Sequence, residues 1–184
     1  VFANPLRHEQ DVAQLTCSSA EEATPYIEHT VKNILADLPG DIALIGFAGA
    51  PFTLASYAIE GKGSRNYVFV KKMMHQRPIL WQQLMAKLVS QLTGYLQMQI
   101  DAGVDAIQLF DTWVGNLSTQ DFQVFVAPYL AQLRNALNAQ VPIIYFGTGN
   151  AHLLPEVKAL GFDVLAFDWR TPLVSTWDQL GVTA

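Results

Sequence analysis

The chain has 184 residues, 51% of them hydrophobic and 15% charged, with a formal net charge of −5. That length suffices for one domain with a sizeable core, and the lack of any basic run or stripe argues against nucleic acid as a partner. Cys17 is the only cysteine, which excludes an intrachain disulfide and a cysteine-rich metal site and fits a reduced, cytoplasmic setting; no apolar run approaches the ~20 residues a membrane-spanning helix needs, and the opening VFANPLRHEQ has no basic start followed by an apolar stretch.

An extended NPLR is followed by a short amphipathic turn, HEQDVAQL. Ser18 and Ser19 offer N-caps, and Glu21 and Glu22 suit the first turn of a helix, where the dipole favours anions. That helix is expected to run unbroken to Asp37 and to stop at Pro39-Gly40. DIALIGF predicts a buried strand over about residues 42–47. GAPFTLASYAIEG then turns at once into a helix, expected from Thr53 to Glu60, and the polar loop GKGSRNY follows.

Residues 67–76 read as another helix. Pro78 suits the first turn of a long one, ended near Ile100 by Gly103. VDAIQLF, residues 104–110, is the second strand. Ser118 caps a further helix with Asp121 at its third position, and Pro128 is expected to kink it. VPIIYFG gives a strand over about 142–147, AHLLPEVKAL a helix closed by Gly161, and FDVLAFD a strand over about 163–168. The ending GVTA reads as the start of another strand.

Strands alternating with helices imply a parallel sheet joined by right-handed crossovers. Two architectures fit: an open doubly wound sheet, or about half of an eight-stranded (β/α)8 TIM barrel, which usually takes ~250 residues. In both, chemistry sits in the loops after the carboxyl ends of the strands. Here those are GFAGAPFT, LFDTWVGN, YFGTGN and FDWRTP.

GFAGAPFTLASYAIEG followed by QLFDTW resembles the uroporphyrinogen decarboxylase family, and NPLRHEQDV, VPIIYF and GFDVLAFDW fit the same family in the same order. The resemblance implies a cofactor-free TIM barrel, usually a homodimer, that removes CO₂ from the four acetate side chains of uroporphyrinogen to give coproporphyrinogen. It further implies that residues 1–184 form a single incomplete barrel domain, truncated at both ends and holding about the third to sixth strands. The family's N-terminal arginine motif, the aspartate after its second strand and its C-terminal glycine-histidine segment have no counterpart in this sequence.

By the same resemblance, Tyr57 is a catalytic and substrate-binding phenol. Thr112, where the family commonly has serine, keeps a hydroxyl for the substrate. Phe47 and Phe110 supply apolar walls at strand ends. Each has a plainer alternative: a core tyrosine, a loop-capping threonine, core phenylalanines. Asp111 and Asp168 read first as anchors for loop N–H groups, and Arg170 as a solvated arginine. GKGSRNY lacks the spacing of a phosphate loop and follows a helix rather than a strand, though Lys62 and Arg65 remain eligible neighbours of an anion. His8, His29, His75 and His152 show no ligand-like pairing.

Two rival functions are a zinc- and corrinoid-dependent methyltransferase of the same barrel and a non-catalytic flavodoxin-like module. The first needs a His-x-Cys pair where the strand at 142–147 carries Tyr145 and Gly147. The second needs polar or charged edge strands, and DIALIGF and FDVLAFD are apolar.

Overall fold

The structure, a computed structural model, describes residues 4–138 and 140–181. Helices α1 (Glu9–Gln14), α2 (Ala20–Ala23) and α3 (Pro25–Asp37) precede strand β1 (Ile45–Gly49). Helices α4 (Pro51–Glu60), α5 (Val68–Gln76) and α6 (Pro78–Asp101) lead to β2 (Ala106–Asp111). A 3₁₀ turn and helices α7 (Thr119–Phe125) and α8 (Ala127–Ala136) lead to β3 (Ile143–Gly147). Helix α9 (Leu154–Ala159), β4 (Val164–Phe167) and α10 (Leu173–Leu180) complete the described chain.

The four strands are parallel and pair in chain order, β1-β2-β3-β4. In sequential order, crossovers of one hand place the helices that connect the strands on the same face. Burial agrees: Ala48, Ile107, Leu109, Ile143 and Tyr145 are enclosed, while Ile45, Phe47 and Val164, on the opposite face, are exposed. A doubly wound sheet reverses its strand order at a switch point and covers both faces. This one does neither, so the fold is a partial TIM barrel and the flavodoxin-like alternative falls.

Sequence and structure part at several boundaries. The first strand is Ile45–Gly49, not 42–47. Its start is set when the Asp105 carboxylate accepts the Leu44 N–H at 2.7 Å, a contact from 61 residues away. Phe47 therefore stands in mid-strand rather than at the strand's end. The helix expected to run unbroken to Asp37 breaks at Thr24, whose backbone (φ −140°, ψ 54°) leaves the helical region. Pro25 is the reason, since the residue before proline is driven out of the α region. Pro128 does more than kink its helix, which divides at Val126 (φ −127°, ψ −51°) into α7 and α8. The freed Phe125 carbonyl accepts the indole N–H of buried Trp81 at 2.9 Å. Helix α4 starts two residues early, with Pro51 in its first turn. Of the strand expected at GVTA, residues 182–184 lie outside the described residues, and Gly181 closes α10.

The NPLRHEQ segment is tied down locally. Asp11 accepts the Arg7 and His8 N–H groups at 2.9 and 2.7 Å. The Arg7 guanidinium lies 3.7 Å above the Phe69 ring, and its Nε donates to the Ile59 carbonyl at the end of α4. At the free edge of β1, the Gln99 side-chain amide accepts the Phe47 N–H at 2.9 Å and donates to the Phe47 carbonyl at 3.2 Å. The amide thus does for one residue what a neighbouring strand's peptide would do. It passes across Gly46, where an added Cβ would lie 2.7 Å from the Gln99 Oε1. No helix among the described residues is long and apolar enough to cross a membrane.

Candidate functional site

The carboxyl ends of β1, β2 and β3 bring together residues far apart in sequence. On the open face of the sheet, Phe47, Phe110 and Phe146 form a row, with ring centroids 5.9 and 5.8 Å apart and edges turned toward faces. Register causes this, since Phe110 sits opposite Phe146 across β2 and β3. Phe47 is 60% exposed, so this apolar wall is presented outward rather than packed in the core. Sequence reasoning missed Phe146. Its signal was the alternation in IIYFG, which puts it on the face opposite buried Tyr145.

Tyr57 lies on α4 and is 38% exposed. Its ring meets the Trp113 ring edge-on at 5.8 Å, and Trp113 lies against Tyr67 at 5.6 Å. Thr112, half-buried, directly precedes Trp113 in the loop after β2. Tyr57 and the residue-112 loop therefore belong to one end of the sheet. Tyr67 is buried, with its phenol pushed up to about 12 by desolvation, to which Tyr57 and Glu60 add. It also carries a left-handed backbone (φ 51°), rare for a tyrosine, and its hydroxyl and the Trp113 Nε1 are buried without protein partners.

Beneath this layer lies Asp111, 0% exposed. Rather than chiefly anchoring loop N–H groups, its carboxylate accepts the Thr53 hydroxyl at 2.9 Å and the Tyr145 hydroxyl at 2.8 Å. Burial pushes its carboxyl up to about 6, against the two hydroxyls and the Thr53 backbone N–H that hold it down. The Tyr145 phenol is driven well above its usual range by burial, and further by the charge of Asp111. The Thr53 oxygen in turn accepts the Trp113 N–H at 3.4 Å.

Asp168 does anchor a loop, accepting the Gly149 and Arg170 N–H groups at 3.0 Å each. Against partial desolvation, those groups and the Arg170 guanidinium hold its carboxyl below the usual range. Arg170 is exposed and paired with Asp168. Lys62 and Arg65 stand exposed in the loop after α4. His75 meets Asp121 at 3.2 Å. Among the described residues, no group of three or more His, Cys, Asp or Glu side chains is arranged to hold a metal ion. A cleft of about 370 Å³ lies at the free edge of β1 between Phe47, Leu54, Leu88 and Tyr95. It is apolar and does not include Tyr57 or Thr112.

Four parallel strands in sequential order, with their helices on one face and an aromatic row on the other, define a protein of the α/β barrel class. The family model described as uroporphyrinogen decarboxylase (URO-D) matches residues 1–183. Uroporphyrinogen decarboxylases of Koribacter versatilis and Geotalea daltonii are each 44% identical, over 98% and 100% of this chain and 52% and 55% of their own lengths. That of Thermus thermophilus is 44% identical over 100% of this chain and 53% of its own. A solved methyltransferase from Methanosarcina mazei superposes on 98% of this chain and 52% of its own with a TM-score of 0.80, at 17% identity. At that identity the likeness is one of fold alone. The chain belongs to the uroporphyrinogen decarboxylase family and spans about half the length of the curated relatives it matches.

Proposed function

We propose that this chain is part of a uroporphyrinogen decarboxylase, a cofactor-free carboxy-lyase that converts uroporphyrinogen III to coproporphyrinogen III in tetrapyrrole biosynthesis. In each of four turnovers an acetate side chain loses CO₂ and takes up one proton, leaving a methyl group. The electron pair of the breaking C–C bond passes into a pyrrole ring protonated beforehand, a nearby acid then supplies a proton to the new methylene carbon, and the ring proton leaves to restore the aromatic pyrrole, so one proton is taken up in all. Alignment of that bond with the ring π-system is a large part of the rate gain.

Tyr57 donates its phenol hydroxyl to the substrate, Thr112 offers a second hydroxyl, and Phe47, Phe110 and Phe146 flank the macrocycle. The observation that supports this reading is the aromatic row on the open face of the sheet, together with the contact of Tyr57 on Trp113 in the loop after β2. The parent protein is a cytoplasmic homodimer, residues 1–184 are an incomplete barrel domain, and this chain alone does not turn over. The test is incubation of a full-length protein carrying this sequence with uroporphyrinogen, with chromatography of the products. Seven-, six-, five- and four-carboxyl products in succession are expected, and unchanged substrate would refute the assignment.

A further inference from the structure

We propose that Asp111, through Thr53 and Tyr145, is a positioning residue that locks the tips of β1, β2 and β3 together so that Tyr57 and Thr112 face the same substrate carboxylate. This rests on the decarboxylase reading for the ligand and on the geometry alone for the lock.

The geometry forms a closed circuit. Asp111 ends β2, and its side chain takes one hydroxyl from α4 and one from β3, 58 and 34 residues away. Thr53 uses its oxygen twice, donating to Asp111 and accepting the Trp113 N–H. The two residues that flank Thr112 are therefore both fastened to Thr53. Thr53 and Tyr57 are four positions apart on α4 and so share a helix face. The Tyr57 ring closes the circuit by resting on Trp113. A rotation of α4 about its axis, or a slip of the loop, breaks one of these links.

Fold stability does not explain the carboxylate. A buried carboxylate with no cationic partner is costly to desolvate even with the Tyr145 and Thr53 hydroxyls and the Thr53 N–H to hold it, and an apolar or amide side chain would fill the same space at less cost. A directional, charge-assisted acceptor is what holding three elements in one register requires. Departures from the cheapest packing tend to gather at functional sites.

The experiment uses the full-length protein with 3-fluorotyrosine at position 57, and compares Thr53→Val, Thr53→Ser and Tyr145→Phe. Thr53→Val keeps the shape of the side chain and removes the hydroxyl; it should lower kcat at least tenfold with KM within about threefold, and shift or broaden the fluorine resonance. Thr53→Ser keeps the hydroxyl and should return both kcat and the resonance close to wild type, which a packing role for the methyl group would not predict. Tyr145→Phe removes the far end of the circuit and should lower kcat while leaving KM near wild type. Wild-type kcat with an unmoved resonance in Thr53→Val overturns the proposal, as does failure of Thr53→Ser to restore them. If the unmodified protein has no decarboxylase activity but the resonance responds as described, the lock stands and the functional assignment falls.

Discussion

Replacing Tyr145 by phenylalanine keeps the ring and removes one oxygen, which isolates the hydrogen bond to Asp111. In the native protein burial raises the Asp111 carboxyl from the usual 3.8 to about 6, while the Tyr145 and Thr53 hydroxyls pull it down. Because the folded-state value is the higher one, the folded chain binds more protons than the unfolded chain between these limits. The stability this group contributes is full below pH 3.8 and is lost as pH rises through about 6. The rise from 3.8 to about 6 corresponds to roughly 3 kcal/mol. A hydrogen bond to a charged acceptor contributes about 1.5–3 kcal/mol, so Y145F should destabilise the full-length protein by about 2 kcal/mol at pH 8, where Asp111 is ionised. Loss of the bond also moves the Asp111 titration upward, because the Tyr145 hydroxyl no longer favours the charged form. At pH 5 wild-type Asp111 already carries a proton, and the loss should fall to about 1 kcal/mol or less, the range of a neutral hydrogen bond. Urea unfolding of both proteins at the two pH values measures this, provided the slopes stay equal. Equal losses at pH 5 and pH 8 would refute the claim that Tyr145 supports a charged carboxylate.

Tyr57→Phe removes the proposed substrate hydroxyl from a partly exposed ring, so kcat should fall at least tenfold while stability changes by less than about 0.5 kcal/mol; a full-rate variant would reduce Tyr57 to a packing residue. Gly115→Ala places a Cβ 2.3 Å from the Thr148 carbonyl oxygen, a backbone atom that cannot swing aside, so the melting temperature should drop by the equivalent of about 1–3 kcal/mol. Trp81→Phe leaves the Phe125 carbonyl without its 2.9 Å donor and should cost about 1–3 kcal/mol in urea titrations, with steady-state kinetics little changed. The chain by itself should show no turnover and should associate through the free edges of β1 and β4; sedimentation as a well-folded monomer with little exposed apolar surface would count against that.

Local chemistry determined much of what is seen. Pro51 and Pro78 open helices, Ser118 caps one through its hydroxyl, and Gly61, Gly103 and Gly161 close others with positive φ. Each signal acts within about one helical turn, so a linear reading captures it. Four apolar runs separated by helices fixed the parallel α/β class, and two motifs carried the family. Tertiary structure alone decided where β1 begins, because Asp105 arrives from 61 residues away to hold Leu44. It alone placed Phe146 in the aromatic row and brought Thr53, Asp111 and Tyr145 together. Such contacts depend on strand register and on how α4 seats against the sheet. A one-residue slip would turn each side chain to the other face, and no short-range pattern in the sequence records which register is chosen.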